Sequence, residues 1–478
     1  MKRRADRSRP MPGWRTYQSA LKRRAVRQRR ARQLLQVLFG LFTVGLMGYL
    51  ISGGLGEAVH EAVFTPPVAV PDAVTALGID PPPEKPGKNV PPIRKNQLVA
   101  VLDPGRIVAL TRPTLDLTVG QTPLTAETTL VPELQAHIRE GLDRQYARYI
   151  GIVVMAPATG RILAMVGHDR DNPDGNPCIE GRFPAASIFK IITAAAAVET
   201  CGFSPRTSIS YPGRKYTLYK YQLKDPPTRR PHHITLGDAF AQSINPVFGK
   251  IGLHHLGRAA LQSYGEAFGF NRDLPFELPL TPSGLEISDQ PFNWAEIASG
   301  FNRTTTISPL HAALVAATVV NGGRMVAPVL IDRVVDADGR TRYKSRVTDL
   351  NRAISPAAAA AVVEMMRGTV ESGTCRKAFR NADSDPVLAR LDIGGKTGSI
   401  NSRTHESRRY DWFVGFAGPR EGSEPRHQVV LSVMVAHEKY IGTRSREYAR
   451  EVIRHYFGHH FTWTDLNPRR APADKARG

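Results

Sequence analysis

The sequence predicts an α+β fold: an antiparallel sheet sandwiched by helices, preceded by a single transmembrane helix and a Pro-rich linker. Three patterns predict it. Residues 34–55 carry no charged side chain, residues 66–92 hold nine prolines, and from residue 148 strand-like runs at both ends enclose a helical block. Strands and helices segregated in this way give a sheet covered by helices rather than a parallel βαβ array.

The 478 residues are 41% hydrophobic and 22% charged, enough for a sizeable core and incompatible with a wholly disordered chain. Three cysteines exclude a disulfide-stapled mini-fold, and no Cys/His spacing resembles a zinc site, so neither metal nor other cofactor is expected. The histidine pairs at 232–233, 254–255 and 459–460 lack an organised third ligand and read as surface or packed residues. A net charge of +21 would suit a nucleic-acid binder, but residues 1–33 alone contribute +12, from thirteen Lys/Arg and one acid. The excess is mostly a terminal tail. With only Trp14 and Tyr17 as aromatics, it suits anionic lipid head groups better than nucleic acid.

Residues 34–55 come next in the chain. As a helix, 22 residues rising ~1.5 Å each would span roughly 33 Å, the thickness of a bilayer's hydrocarbon core. Both the apolar run and its basic leader are longer than those of a cleaved signal peptide, so the segment reads as an uncleaved anchor. Lys22, Arg23, Arg24, Arg27, Arg29, Arg30 and Arg32 precede it, and the first charge after it is Glu57. The positive-inside rule keeps residues 1–33 in the cytoplasm and sends 56–478 across the membrane. Residues 56–97 then form a semi-rigid Pro-rich linker. Residues 98–147 form a small N-terminal or pedestal region. It has β-like runs LVAVL (98–102) and LDLTV (115–119) and a helix-like stretch from 130 to near Ala147.

Residues 148–460 carry the regular signals. YIGIVVMAPATGRILAMVGH is two β-rich runs around Pro157-Ala158-Thr159-Gly160, a hairpin by turn chemistry. SIFKIITAAAAVE (187–199) is apolar almost throughout and too long for a strand, hence a buried helix. Residues 236–257 are helical with a break near Pro246. Helices 308–323 and 355–373 each open on Ser-Pro and end in glycine. In the second, Met365, Met366 and the alanines of 357–361 read as core. Strand candidates follow at 392–400, 411–418 and 427–437, then an amphipathic helix at 444–457. Residues 461–478 read as a disordered tail. Cys178 and Cys201 bracket the 187–199 helix, and export would permit a disulfide. The chain from 178 to 187 would have to fold back along the helix to form it, which disfavours the pair, and Cys375 would be left unpaired.

Three short motifs carry the chemistry. Ser187 and Lys190 form Ser-x-x-Lys at the first turn of the buried helix, where positions three apart share a face and the amine can reach the hydroxyl. Serine needs a neighbouring base, and lysine becomes one when burial or nearby cations lower its pKa. The motif alone is weak, since Ser19-Ala20-Leu21-Lys22 repeats it in the basic tail. Its companions give it weight. Ser243-Ile244-Asn245 supplies a hydroxyl relay and an amide to hold a substrate backbone. Lys396-Thr397-Gly398, followed by Ser399, lies in a glycine-rich strand candidate. Glycine there lets a peptide approach the strand closely. Lys396 with the Thr397 and Ser399 hydroxyls could anchor a carboxylate, while backbone N–H groups face a scissile carbonyl.

In this order the motifs resemble those of penicillin-binding proteins of the monofunctional, class B type, within the serine acyltransferases that include β-lactamases. ATGRILAMV, FPAASIFK, ISPLHAALVAATVVNGG and DWFVGFAG resemble that family's transpeptidase domain over about residues 130–457. The resemblance implies Ser187 as acylated nucleophile, Lys190 as its base, Ser243 as proton relay and Asn245 as substrate-amide ligand. It implies Lys396 and Thr397 as the carboxylate site, and the Ser187 and Ser399 backbone N–H groups as the oxyanion hole. Peptidoglycan stem peptides and β-lactams are the implied ligands. A membrane-embedded glycan polymerase is an implied partner, and the bacterial inner membrane the implied location, with the catalytic domain in the periplasm. Ser399 stands where threonine is commoner, and SGFNRTT (299–305) replaces the glycine-glutamine-glycine pattern usual before the middle helix. The region before the catalytic domain is short for the family's pedestal and shorter still for a glycosyltransferase domain. Water as acceptor would make the enzyme a D,D-carboxypeptidase. A β-lactam sensor or a non-catalytic scaffold for a polymerase is the alternative of a different class. No class A deacylation motif follows Ser243-Ile244-Asn245, which disfavours a β-lactamase.

Overall fold

Strands drawn from both ends of the stretch 147–437 meet in one sheet. The computed structural model describes residues 92–226, 230–402, 408–420 and 428–460. The expected anchor at 34–55, nearly all of the Pro-rich linker and the tail at 461–478 lie outside these. Among the described residues no helix is long and apolar enough to cross a membrane.

β1 (Ala147–Met155) and β2 (Ile162–Asp169) are the expected hairpin, with Tyr149 opposite Asp169 and Val154 opposite Ala164. Its turn needs glycine: Gly160 has φ +74°, and a Cβ there would lie 2.0 Å from the Ala327 carbonyl oxygen. β3 (Leu391–Asn401), β4 (Arg409–Pro419) and β5 (Val429–His437) complete an antiparallel sheet in the order β3-β4-β5-β1-β2. β3 therefore forms one edge and β2 the other.

The strands are apolar on both faces because both are covered, as in sheets buried between layers. One face of β4 and β5 (Trp412, Val414, Phe416, Val430, Met434) joins the cluster containing α1 (Lys190–Cys201) and its neighbours. The other face (Phe413, Val433, Val435) meets the C-terminal helix through Ala449, Ile453 and Phe457. The helices between are α2 (Leu236–Ala241), α3 (Asn245–Lys250), α4 (Pro291–Ser299), α5 (Pro309–Val320) and α6 (Pro356–Glu371). Ser308 and Ser355 cap α5 and α6, their hydroxyls accepting from His311 N–H at 3.1 Å and Ala358 N–H at 3.2 Å.

Several expectations are corrected. LVAVL (98–102) is the end of a helix, Lys95–Val101, with Leu102 as its extended cap; Leu98 and Val101, one turn apart, face the core while Ala100 faces solvent. The stretch from 130 forms a helix only over Pro132–Glu140, and Ala147 already begins β1. The break in 236–257 falls at Ser243, whose φ is +57°. Pro246 sits in the first turn of α3, where its missing N–H costs nothing. Among the alanines of α6, Ala358 and Ala359 are buried but Ala357 and Ala360 are exposed, since one helical face looks outward. The cysteines need no correction: the disfavoured Cys178–Cys201 bond is absent and all three are free thiols. Cys178 Sγ packs behind the hairpin against the Val166 carbonyl at 3.3 Å, whereas Cys201 ends α1, about 16 Å along the axis from Lys190.

A smaller antiparallel sheet joins Thr114–Val119 and Thr122–Thr128 to a hairpin from much later in the chain, Ile331–Asp336 and Thr341–Lys344. Leu115, Leu124 and Val334 tie it to the main core.

The edge at β2 is closed by a side chain. Gln135, fully buried, accepts from Met165 N–H at 2.9 Å and donates to the Met165 carbonyl at 3.0 Å and the Ile107 carbonyl at 2.9 Å. Its carboxamide substitutes for a neighbouring strand. Gln135→Leu would leave these backbone groups buried and unpaired, and denaturant unfolding is expected to show a loss on the order of 3 kcal/mol. A change within about 0.5 kcal/mol, ordinary for surface positions, would refute that role.

Candidate active site

Ser187 lies in a 3-10 turn, Ala186–Phe189, that leads into α1. The turn is held from outside. Phe183–Pro184 pairs with Thr306–Ile307, and Trp412 Nε1 donates to the Pro184 carbonyl at 3.0 Å. Ala186 has φ +49°, a left-handed conformation that costs on the order of 1–3 kcal/mol and persists only where its surroundings impose it. The imposing neighbour is Gly300, which ends α4. A Cβ on Gly300 would lie 1.9 Å from the Ala186 carbonyl oxygen and 2.8 Å from Ser187 N.

One turn on, Lys190 is fully buried, and its Nζ donates to Ser187 Oγ and to Asn245 Oδ1, both at 2.8 Å. A third hydrogen bond goes to the Ser299 carbonyl. Burial drives the Lys190 pKa well below the ordinary lysine value, and the nearby Lys396 cation lowers it further.

The junction of α2 and α3 brings in the second motif. Its left-handed kink at Ser243 turns the chain so that Ser243 and Asn245 are both buried in the site. Asn245 N–H donates to the Lys215 carbonyl at 2.8 Å, fixing the start of α3.

Edge strand β3 supplies the third. Lys396 is fully buried and donates to Ser243 Oγ and to the Thr397 carbonyl, both at 2.9 Å. Burial pushes its pKa down to about 7. The Phe248 and Phe240 rings lie 5.5 Å from Lys190 and Lys396 respectively, which eases two cations into the interior. Gly398 passes against the serine turn: a Cβ there would meet Ser187 N and Ile188 Cγ1 at 3.3 Å.

Lys190 thus bridges Ser187 and Asn245, Ser243 contacts Lys396, and Gly398 packs against the Ser187 turn between the two groups. Thr397 and Ser399 occupy the alternate face of β3. The Thr397 hydroxyl meets Thr374 Oγ1 at 2.5 Å, and Ser399 Oγ, exposed, accepts from Arg409 at 3.1 Å. Sequence reasoning missed Ser299, Gly300, Arg303, Thr374 and Arg409. Gly300 was legible as a helix-ending glycine, and Arg409 follows from antiparallel pairing, since it lies opposite Asn401. Arg303 Nε donates to the Asn401 carbonyl at 2.6 Å, so SGFNRTT borders the site directly. Nothing in the sequence flags Thr374.

Comparison with known proteins adds the lineage. The penicillin-binding protein transpeptidase domain matches residues 150–454. The chain belongs to this family, as a class B-like penicillin-binding protein. It is 27% identical over 302 residues to the peptidoglycan D,D-transpeptidase PbpA of Mycolicibacterium smegmatis, covering 56% of this chain and 58% of that protein. Identity to the Mycobacterium tuberculosis protein of the same name is 26% over 337 residues, covering 61% and 64%. Penicillin-binding protein 1A of Neisseria gonorrhoeae is 31% identical over 275 residues, covering 55% and 30%. The chain therefore matches less than two thirds of the length of these relatives. In fold it resembles the crystal structure of PBPA from Mycobacterium tuberculosis, with a TM-score of 0.56 at 23% identity, covering 69% of this chain and 80% of that one. It also resembles the D,D-transpeptidase domain of a peptidoglycan glycosyltransferase from Eggerthella lenta, with a TM-score of 0.59 at 22% identity, covering 76% and 91%.

The two depressed lysines make stability depend on pH. Between about 7 at Lys396 and about 10.4 in the unfolded chain, the unfolded state binds a proton that the folded site has shed. The site's contribution to stability therefore rises with pH across that window. Below it both states are protonated and the cost of the buried cation is fully present. Lys396→Met is expected to flatten the pH dependence of unfolding free energy between about pH 7 and 10, by up to about 1.4 kcal/mol per pH unit. An unchanged slope in denaturation at several pH values would mean that Lys396 keeps its proton in the folded protein.

Proposed function

We propose that the chain is a membrane-anchored peptidoglycan D,D-transpeptidase that works through an acyl-enzyme on Ser187. The observation that carries the reading is Lys190 Nζ, buried, with a lowered pKa, 2.8 Å from Ser187 Oγ. A neutral amine there, keeping its two N–H bonds on Asn245 and the Ser299 carbonyl, turns its lone pair to Ser187 and accepts the serine proton as Oγ attacks the carbonyl of the penultimate D-Ala in a stem peptide. The Ser187 and Ser399 backbone N–H groups hold the oxygen of the tetrahedral intermediate. The C–N bond then breaks, and D-Ala leaves with the proton returned from Lys190 by way of Ser243. Asn245 holds the donor amide, and Lys396, Thr397 and Ser399 hold the terminal carboxylate.

As an edge strand, β3 has one side of its backbone free to take a substrate peptide as an added strand. An amine from a neighbouring strand attacks the ester and completes the cross-link. Water in its place gives the D,D-carboxypeptidase outcome. β-Lactams imitate the D-Ala-D-Ala terminus and acylate the same serine. The relatives named D,D-transpeptidases support the reaction class. The uncharged run at 34–55 and its basic flank support the anchor.

The test uses the full chain in detergent micelles with benzylpenicillin. Mass spectrometry is expected to find one adduct, on the peptide containing Ser187, and none in Ser187→Ala. Lys190→Met is expected to slow acylation by about 10²–10⁴-fold, the usual worth of a positioned base. An adduct elsewhere, or none, would sink the proposal. Supplying a pentapeptide stem with and without an amine acceptor separates cross-linking from hydrolysis.

A further inference from the structure

Beside the site lies a loop built with more care than a connection needs. Residues 212–224 fold around Gln222, which is fully buried. Its Nε2 donates to the carbonyls of Pro212 at 3.0 Å and Arg214 at 3.1 Å. Its Oε1 accepts from Tyr219 N–H and the Thr217 hydroxyl, each at 3.0 Å. Leu218 and Leu223 pack against Ala295 of α4. These groups satisfy the loop's own structure.

What they leave outside is unusual. Tyr216 is 61% exposed and Tyr219 56%, among the most exposed large apolar side chains of the described residues. Tyr219 stacks on Tyr221 with centroids 5.9 Å apart and planes 13° from parallel. Arg214, Lys215 and Lys220 are exposed on the same loop. The loop is also wired to the site. The Lys215 carbonyl accepts the Asn245 N–H at 2.8 Å, and Asn245 in turn binds Lys190.

We propose that this loop is a binding platform for the glycan strand of the substrate. Tyr216 and Tyr219 stack on sugar rings, and Arg214, Lys215 and Lys220 meet the carboxylates of the attached peptides. The proposal rests on the acyl-enzyme reading above and extends it from the stem peptide to the polymer that bears it.

The physics favours such a ligand. Exposed aromatic faces on an ordered loop lose water when covered and little conformational freedom, since tyrosine has only two side-chain torsions. A pyranose ring offers one flat face of C–H groups to such a surface. The cations raise the local concentration of an anionic polymer. Because the loop's fold relies on Gln222, Leu218 and Leu223, the tyrosine rings can be removed without disturbing it.

The test again uses the full chain in micelles. The probes are uncross-linked peptidoglycan strands bearing stem peptides, and the same strands stripped of peptides by an amidase. Tyr216→Ala/Tyr219→Ala is expected to weaken binding to both probes about tenfold, near 1.4 kcal/mol, while benzylpenicillin acylates Ser187 at an unchanged rate. Tyr216→Phe/Tyr219→Phe, which keeps both rings, should bind like the parent. Equal binding by the alanine variant, or a Phe variant as weak as the alanine one, overturns the platform. If the parent itself takes no penicillin, the acyl-enzyme reading fails. Intact acylation with glycan binding that ignores the tyrosines fails the platform alone.

Discussion

Two lysine side chains lie fully buried in one site, and their mutual repulsion together with their lost hydration is the constraint around which the fold is arranged. An isolated buried ammonium is expensive and ordinarily sheds its proton. Here each Nζ is given oxygen partners from a different part of the chain. Lys190 reaches a serine hydroxyl, a carboxamide and a main-chain carbonyl; Lys396 reaches another hydroxyl and the carbonyl of its own neighbour. These partners accept a hydrogen bond without bringing a negative charge. Had any been a carboxylate, the pair would have been held charged. Neutral acceptors leave the lysines poised to give up protons, which is the property a base requires.

That arrangement has to stay dry, because burial is the main cause of the lowered lysine pKa values and water reaching the amines would raise them again. Its packing rests on close approach of backbone to backbone. Gly398 on β3 and Gly300 at the end of α4 press on the Ala186–Ser187 peptide from two sides, and a methyl group at Gly300 would overlap it outright. The left-handed conformations of Ala186 and Ser243 persist because the surrounding elements over-determine them. Strained backbone therefore marks two of the three motifs, and the third lies on a strand thinned by Gly394, Gly395 and Gly398.

Much of this was legible in the sequence because the motifs combine a residue type with a local geometry. The Ser187–Lys190 spacing fixes a shared helical face, and the strands carrying β1 to β5 are apolar runs that only a doubly covered sheet accommodates. Legibility failed where tertiary packing chose between close alternatives. LVAVL has the composition of a strand, yet its burial follows the spacing of Leu98 and Val101, set by what lies beneath. Pro246 looked like the breaker in 236–257, but proline is welcome in a first turn and the break belongs to the left-handed Ser243. Ser299 was invisible for a different reason: its contribution to Lys190 is a carbonyl, which every residue possesses.

This last point accounts for a segment whose side chains depart from the family's pattern. SGFNRTT lacks the usual glycine-glutamine-glycine arrangement, yet it still presents a main-chain carbonyl to Lys190 and a glycine to Ala186. Both are backbone properties of a helix that ends in a left-handed Gly300, and they depend little on the side chains that follow. The side chains are consequently free to serve another purpose. Arg303 uses that freedom to cross to the Asn401 carbonyl on β3, tying the wall formed by this segment to the strand that carries Lys396. A flexible polar residue in that position could not span and hold the two sides with a single planar cation. The segment thus keeps its backbone contacts to the serine turn while its arginine side chain bridges to the far end of β3.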